Sequence, residues 1–223
     1  MGACSGPQTI AKILSRMEID IPEDQIVPSM CLGTPDVSLY QLVAANAMFV
    51  NNGVYVAPQT ILRIEDKQGN VIYSAKRKTR EVMYSWISFD LIQMMQSVVK
   101  KGASTSLRGN AKWGGIEHPT AASVGTTQGN ADCWFIGITP DLVTGVWSGG
   151  EDKQIRFRSM LWGQGARAAL PIYGYFMQKV YADSSLAIST NDFLPPADYD
   201  STRFDCGDEK LEEGSNPFGI FEE

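Results

Sequence analysis

The chain has 223 residues, enough for one well-buried core with a tail, and its 43% hydrophobic and 20% charged residues exclude a disordered or fibrous protein. The formal charge of −6 is unevenly placed: from Asn191 onward there are ten acidic residues against two basic ones, which leaves the first 190 residues close to neutral. No basic stripe points to nucleic acid. Four cysteines (Cys4, Cys31, Cys133, Cys206) are scattered without a C-x-x-C, and His118 is the single histidine. This argues against a zinc site and for free thiols, and no metal or cofactor is expected. The absence of a G-x-S-x-G elbow argues against a Ser-His-Asp hydrolase. No targeting signal or membrane-spanning segment is visible. The longest uncharged run, Val37 to Leu62, is broken by Asn51-Asn52-Gly53 and Pro58.

Ile10, Ile13, Leu14 and Met17 fall at helical spacing and predict a first helix that Pro22 ends. After a loop through Pro28 and Gly33-Thr34-Pro35, Ser38-Leu39-Tyr40-Gln41 has the form of a capping box. Leu39, Leu42, Val43, Phe49 and Val50 give that second helix an apolar side, and Asn51-Asn52-Gly53 stops it. A hairpin follows, with Ile61 to Ile64 and Val71 to Tyr73 as arms around Asp66-Lys67-Gln68-Gly69-Asn70. Trp86 to Lys101 is a third helix, with Ile87, Leu91, Met94, Met95 and Val98 expected inside. A polar stretch, Ala103 to Pro119, leads to three strands at Val124–Thr127, Cys133–Ile138 and Leu142–Ser148, the last two joined by Thr139-Pro140-Asp141. Pro171 suits the first turn of a final helix running to about Val180. The acidic, proline-containing segment beyond Asn191 is expected to be extended or disordered.

Several runs together carry a family resemblance. They are Cys31-Leu32-Gly33-Thr34-Pro35-Asp36-Val37-Ser38-Leu39-Tyr40, Phe49-Val50-Asn51-Asn52-Gly53-Val54-Tyr55, Ile64-Glu65-Asp66-Lys67-Gln68-Gly69-Asn70-Val71-Ile72, Gly125-Thr126-Thr127-Gln128, Asp132-Cys133-Trp134-Phe135-Ile136-Gly137-Ile138-Thr139-Pro140-Asp141, and Gly163-Gln164-Gly165 before Ala169-Leu170-Pro171. In content and order, up to about Asp183, they resemble the transpeptidase domain of class A penicillin-binding proteins, in the style of Bacteroidetes-type bacteria. The resemblance implies an α/β (α+β), β-lactamase-like fold: an antiparallel sheet flanked by helices, incomplete here, with part of an all-helical lobe. The expected division is a helical-lobe remnant over 1–52, the sheet-and-helix part over 53–190, and an acidic tail over 191–223.

Catalysis in that family uses three motifs in order, S-x-x-K, S-x-N and K-T-G. A serine attacks the D-Ala-D-Ala carbonyl of a peptidoglycan stem peptide, or a β-lactam, and becomes acylated. The K-T-G strand holds the substrate carboxylate and contributes an oxyanion-hole amide. Met1 to Ile19 resembles the helix that follows S-x-N, so both earlier motifs are expected upstream, with the periplasmic full-length proteins' membrane anchor further upstream still. The third motif is present but altered. Ala122-Ser123-Val124-Gly125-Thr126-Thr127 stands where the family has G-K-T-G-T-T, with Ser123 at the lysine position and Val124 at the first threonine. Ser123, Gly125, Thr126 and Thr127 are therefore the substrate-binding candidates, and no catalytic residue is assigned.

Three functional readings follow. The first is a piece of a peptidoglycan D,D-transpeptidase, inactive alone. The second is a degenerate, non-catalytic module that binds or contacts the cell wall. The third is an acyltransferase with Ser97 or Ser123 as substitute nucleophile, which lacks an evident base. Ser97-Val98-Val99-Lys100 and Ser189-Thr190-Asn191 match motif letters but fall at a helix end and at the start of the tail. Gly163-Gln164-Gly165-Ala166-Arg167-Ala168 imitates a dinucleotide fingerprint, though a loop feeding the last helix explains it better. Arg156, Arg158 and Arg167 are expected to be solvated, His118 an exposed bystander, and Trp134, Phe135 and Trp147 core.

Overall fold

In the computed structural model, which describes residues 6–197 and 199–200, Ser38 opens the central helix α2 (Leu39–Val50) as its spacing predicts. The Ser38 hydroxyl accepts from the Gln41 N–H at 3.2 Å, and the Gln41 side chain accepts from the Ser38 N–H at 3.1 Å. Asn52 (φ 54°) and Gly53 (φ 79°) end it in the left-handed region, where glycine meets no Cβ penalty. The preceding helix α1 spans Pro7–Ser15 and stops well before Pro22. Met17 and Ile19 are buried all the same, because the chain turns back at Glu18 (φ 59°) and lays them against Ala44, Ala45 and Met48 of α2.

Strand β1 (Val54–Val56) pairs antiparallel with β4 (Thr79–Glu81), and the expected hairpin, β2 (Arg63–Glu65) with β3 (Val71–Ser74), is inserted between them. Its turn is tied by Asp66, whose carboxylate accepts from the Gln68 and Asn70 N–H groups, each at 2.8 Å. Helix α3 (Ser85–Lys100) follows.

The buried face of α3 differs from the expected one. Ser88, Phe89, Ile92, Gln96 and Val99 are inside, while Met94 is half exposed. Apolar spacing missed this face because two of its members are polar residues with partners. Ser88 Oγ donates to the Phe49 carbonyl (2.8 Å), and Gln96 Nε2 donates to Asp192 (3.3 Å). The stretch 103–119 is likewise less polar in space than in sequence, since Leu107 and Ile116 are buried.

The main sheet has the order β5-β6-β7, with β5 Ala121–Thr126, β6 Asp132–Ile138 and β7 Val143–Gly149, all antiparallel. Side-chain alternation gives it two apolar faces. On one, Ala122, Cys133 and Phe135 pack against Leu170, Tyr173 and Met177 of α5 (Leu170–Ala182), which the short α4 (Gly165–Ala168) precedes. On the other, Ala121, Ile136 and Ile138 pack against Phe89 and Ile92 of α3 and the edge of α2. The fold is thus the expected antiparallel sheet flanked by helices. Phe193 is buried in the second layer, and the Tyr199 hydroxyl donates to Asp90 at 2.8 Å. Residues 201–223 of the acidic segment, with Cys206, and Cys4 near the start lie outside the described residues. Cys31 is exposed and Cys133 buried, both as free thiols. Among the described residues no helix is long and apolar enough to cross a membrane.

Candidate active-site strand

Strand β5 lies at one edge of its sheet, with β6 as its single strand partner among the described residues. Its first half is fixed by Ala121 and Ala122, both fully buried. Its second half emerges: Ser123 is exposed, Val124 and Gly125 are half-buried, and Thr126 and Thr127 are exposed. The register pairs Ser123 with Ile136, Gly125 with Trp134 and Thr126 with Cys133. The four candidates Ser123, Gly125, Thr126 and Thr127 are therefore strung along the emerging half of one edge strand and the turn that ends it.

Two interactions hold that end. Thr126 Oγ1 accepts from the Gly165 N–H at 3.1 Å, which leaves its own proton available to donate. Thr127 Oγ1 accepts from the Asp132 N–H (2.9 Å) and donates to the Asp132 carboxylate (3.0 Å), so both of its roles are engaged inside the protein. The other oxygen of Asp132 accepts from Trp147 Nε1 at 3.0 Å, locking Thr127, Asp132 and Trp147 into one network. A carboxylate ligand at Thr127 would meet the Asp132 charge, a repulsive contact. The turn itself runs through Gly129 (φ 76°) and Asn130 (φ 58°), and the Arg156 guanidinium lies 3.0 Å from where a Cβ on Gly129 would stand. Beside it, burial, aided by Asp132, pushes the Cys133 thiol above its ordinary value.

Gly165 is a position where glycine is required by space. A Cβ there would collide with the carbonyl oxygens of Trp134 and Gly125. The Gly163–Gly165 run is accordingly the entry to α4 and α5, brought against the strand pair β5–β6. Sequence does not single out Asp132 or Gly165 for the site, and it weighs Arg156 as part of an anionic-ligand patch only to favour a solvated face. Asp132 is ordinary at the start of a strand, and the other two reach β5 only through the return of the chain after β7.

The motif look-alikes separate from this region. Ser97 is exposed in the last turn of α3 and its hydroxyl donates weakly, at 3.4 Å, to the Gln93 carbonyl. Lys100 Nζ turns to Gln96 Oε1 (3.3 Å) instead of the serine. The Ser189 N–H donates to Asp141 at 2.8 Å, beside the β6–β7 turn and at the opposite end of the sheet from Thr127. His118 is half-buried, not exposed as expected, because its ring packs at a tilt of 48° against Tyr181 with centroids 4.2 Å apart. Phe135 is fully buried, Trp134 half-buried and Trp147 39% exposed, so the Trp147 end of the strand set is more open than a core assignment implies. Arg156, Arg158 and Arg167 are all exposed, as expected. Among the described residues no group of His, Cys, Asp and Glu is arranged to hold a metal ion.

A three-stranded antiparallel sheet with α5 on one face, α2 and α3 on the other, and a glycine-threonine edge strand is the arrangement that the transpeptidase resemblance implies. The family model described as the penicillin binding protein transpeptidase domain matches residues 27–147, and the chain belongs to that family. Penicillin-binding protein 1A of Aquifex aeolicus (strain VF5) is 34% identical over 152 residues, which is 68% of this chain and 20% of that protein. The crystal structure of penicillin-binding protein 1A from Haemophilus influenzae shares the fold, with a TM-score of 0.70 at 19% identity, over 86% of this chain and 33% of that one. Penicillin-binding protein A of M. tuberculosis, solved as an imipenem acyl-enzyme complex, overlaps with a TM-score of 0.58 at 15% identity, over 78% of this chain and 44% of that one. The chain spans about a fifth of the length of the curated relatives it matches.

Proposed function

We propose that this chain supplies the edge-strand wall of a peptidoglycan D,D-transpeptidase cleft and does not itself carry the acylated serine. In this reading the β5 edge takes a stem peptide ending in D-Ala-D-Ala, or a β-lactam, as an added strand, since an edge strand leaves alternate backbone groups free to pair. The observation that carries it is the exposed half of β5, where the Thr126 hydroxyl keeps a free proton beside Gly125. Family membership supports the ligand class, and the neighbour solved as an imipenem acyl-enzyme supports the β-lactam. In this reading the chain acts in the periplasm, the setting that its family resemblance implies.

The serine chemistry has no support at the substitute positions. A working nucleophile needs a base within hydrogen-bond reach. Ser97 faces the Gln93 carbonyl while Lys100 is turned to Gln96, and Ser123 stands opposite Ile136 in the ladder. Ligand recognition here is also weakened. A charge-assisted hydrogen bond contributes about 1.5–3 kcal/mol, so a serine at the lysine position lowers carboxylate affinity roughly ten- to a hundredfold.

The test is a titration of the isotope-labelled chain with N-acetyl-D-Ala-D-Ala, followed by amide resonances, with the C-terminal carboxamide as control. The reading expects shifts confined to Gly125, Thr126, Thr127 and their neighbours, smaller with the carboxamide. Shifts elsewhere, or none at millimolar ligand, would remove it.

A further inference from the structure

Residues 150–164, between β7 and α4, have a tied-down backbone and outward-facing apolar side chains. The Gln154 N–H donates to the Asp152 carboxylate (2.8 Å), the Ile155 N–H to the Asp152 carbonyl (2.8 Å), and the Phe157 N–H to the Asn130 carbonyl (3.2 Å). Near the end of the segment the Gly163 N–H donates to the Ser159 carbonyl (3.0 Å). Phe157 is 39% exposed, with its Cβ beside Gly163. Four other large side chains face water: Ile155 (65% exposed), Met160 (57%), Leu161 (61%) and Trp162 (64%). Four such exposed side chains within eight residues, on a backbone held by these hydrogen bonds, mark a contact surface.

Charge narrows the partner. Between Asp152 and Asp183 the sequence has no acidic residue and five basic ones, in a chain whose formal charge is −6. Two of them, Arg156 and Arg158, alternate with Ile155 and Phe157 and are exposed. Aliphatic side chains, a tryptophan and interleaved arginines are the chemistry of a segment lying at a lipid headgroup boundary. The apolar groups enter the acyl region, the indole sits at headgroup level, and the guanidinium groups meet lipid phosphates.

We propose that residues 155–162 form a membrane-contact loop that docks on an anionic bilayer surface. The loop adjoins the turn that ends β5, through the Phe157 N–H and Arg156, but membrane contact is read out by vesicle binding, so its failure is distinguishable from failure of the ligand titration at β5.

The experiment is co-sedimentation of the full 223-residue chain with vesicles of phosphatidylglycerol in phosphatidylcholine, against phosphatidylcholine alone, at low and high salt. Binding is expected to the anionic vesicles and to fall severalfold without them or at high salt. The double substitution Leu161→Ser with Trp162→Ser is expected to lower it about tenfold or more. The pair Arg156→Gln and Arg158→Gln should remove the preference for phosphatidylglycerol. Tryptophan emission should shift to the blue on binding, and Trp162→Phe should abolish most of that shift. All these positions are exposed, so unchanged far-ultraviolet circular dichroism and an unchanged melting temperature serve as the folding control. No co-sedimentation with anionic vesicles, or binding untouched by either set of substitutions, would overturn the proposal. So would a concentration-dependent oligomer dissociated by Leu161→Ser, which would assign the loop to a second copy of the chain.

Discussion

Replacing Gly165 by alanine tests how the end of β5 is held. The added methyl would overlap the carbonyl oxygens of Trp134 and Gly125 and lie 2.8 Å from Val124 Cγ1. Two of those three atoms are strand backbone and cannot rotate aside, so α4 must withdraw from the sheet. Overpacking of this kind costs about 1–3 kcal/mol. The withdrawal also breaks the hydrogen bond from the Gly165 N–H to Thr126 Oγ1, a further loss of about 1 kcal/mol. Together the loss is about 2–4 kcal/mol, which for a domain of this size lowers the melting temperature by about 4–16 °C. Thermal unfolding followed by circular dichroism reads the stability, and the Thr126 and Gly125 amide resonances read the local change. A variant melting within about 1 °C of the parent, with those resonances unmoved, would refute the reasoning.

Phe135→Ala empties a fully buried site against Tyr173, whose ring centroid lies 4.8 Å away, and should cost about 3–5 kcal/mol in urea unfolding; a cost below about 1 kcal/mol would mean the sheet–α5 layer is not the core. Asp66 is held below the ordinary carboxylate value, first by the Asn70 side-chain amide and then by the Asn70 N–H. Because the folded value is the lower one, its contribution to the β2–β3 turn is complete above about pH 4 and is lost as the pH falls through the folded value. The protection of the Asn70 amide, the slowing of its exchange relative to the unstructured chain at the same pH, should therefore fall in acid, and Asp66→Ala should lower it already at neutral pH; protection independent of pH in the parent chain would contradict this. Ser123→Lys restores a cation at an exposed position of β5 and should tighten N-acetyl-D-Ala-D-Ala roughly ten- to a hundredfold, measured in the amide titration. An unchanged dissociation constant would place the carboxylate elsewhere.

What the sequence disclosed was mostly local or periodic. The Ser38–Gln41 box and the stop at Asn51-Asn52-Gly53 depend on groups a few residues apart, and both appear as expected. Strands β5 to β7 announced themselves by alternation and by the Thr139-Pro140-Asp141 turn. Strand β4 did not, because Thr79-Arg80-Glu81 is polar and exposed and becomes a strand only through pairing with β1. The α3 face was displaced because Ser88 and Gln96 are buried through hydrogen bonds that no count of apolar residues registers.

The same division holds at the site. Gly125, Thr126 and Thr127 stand in one run and were legible together. The Thr127–Asp132–Trp147 network needs the register of three strands, and the Gly165 contact joins residues 39 apart. Sequence gave the hydroxyls of Thr126 and Thr127 equal standing; the fold leaves the first able to donate and commits the second to Asp132.

Intact-mass spectrometry of the purified chain after exposure to a fluorescent penicillin, with heat-denatured protein as control, tests the central claim most directly. No covalent adduct is expected on the folded chain, because Ser97 donates to the Gln93 carbonyl while Lys100 is turned to Gln96, and Ser123 stands opposite Ile136 on a strand proposed to hold ligand without being acylated. A stoichiometric adduct confined to folded protein and mapped to a single serine would contradict it.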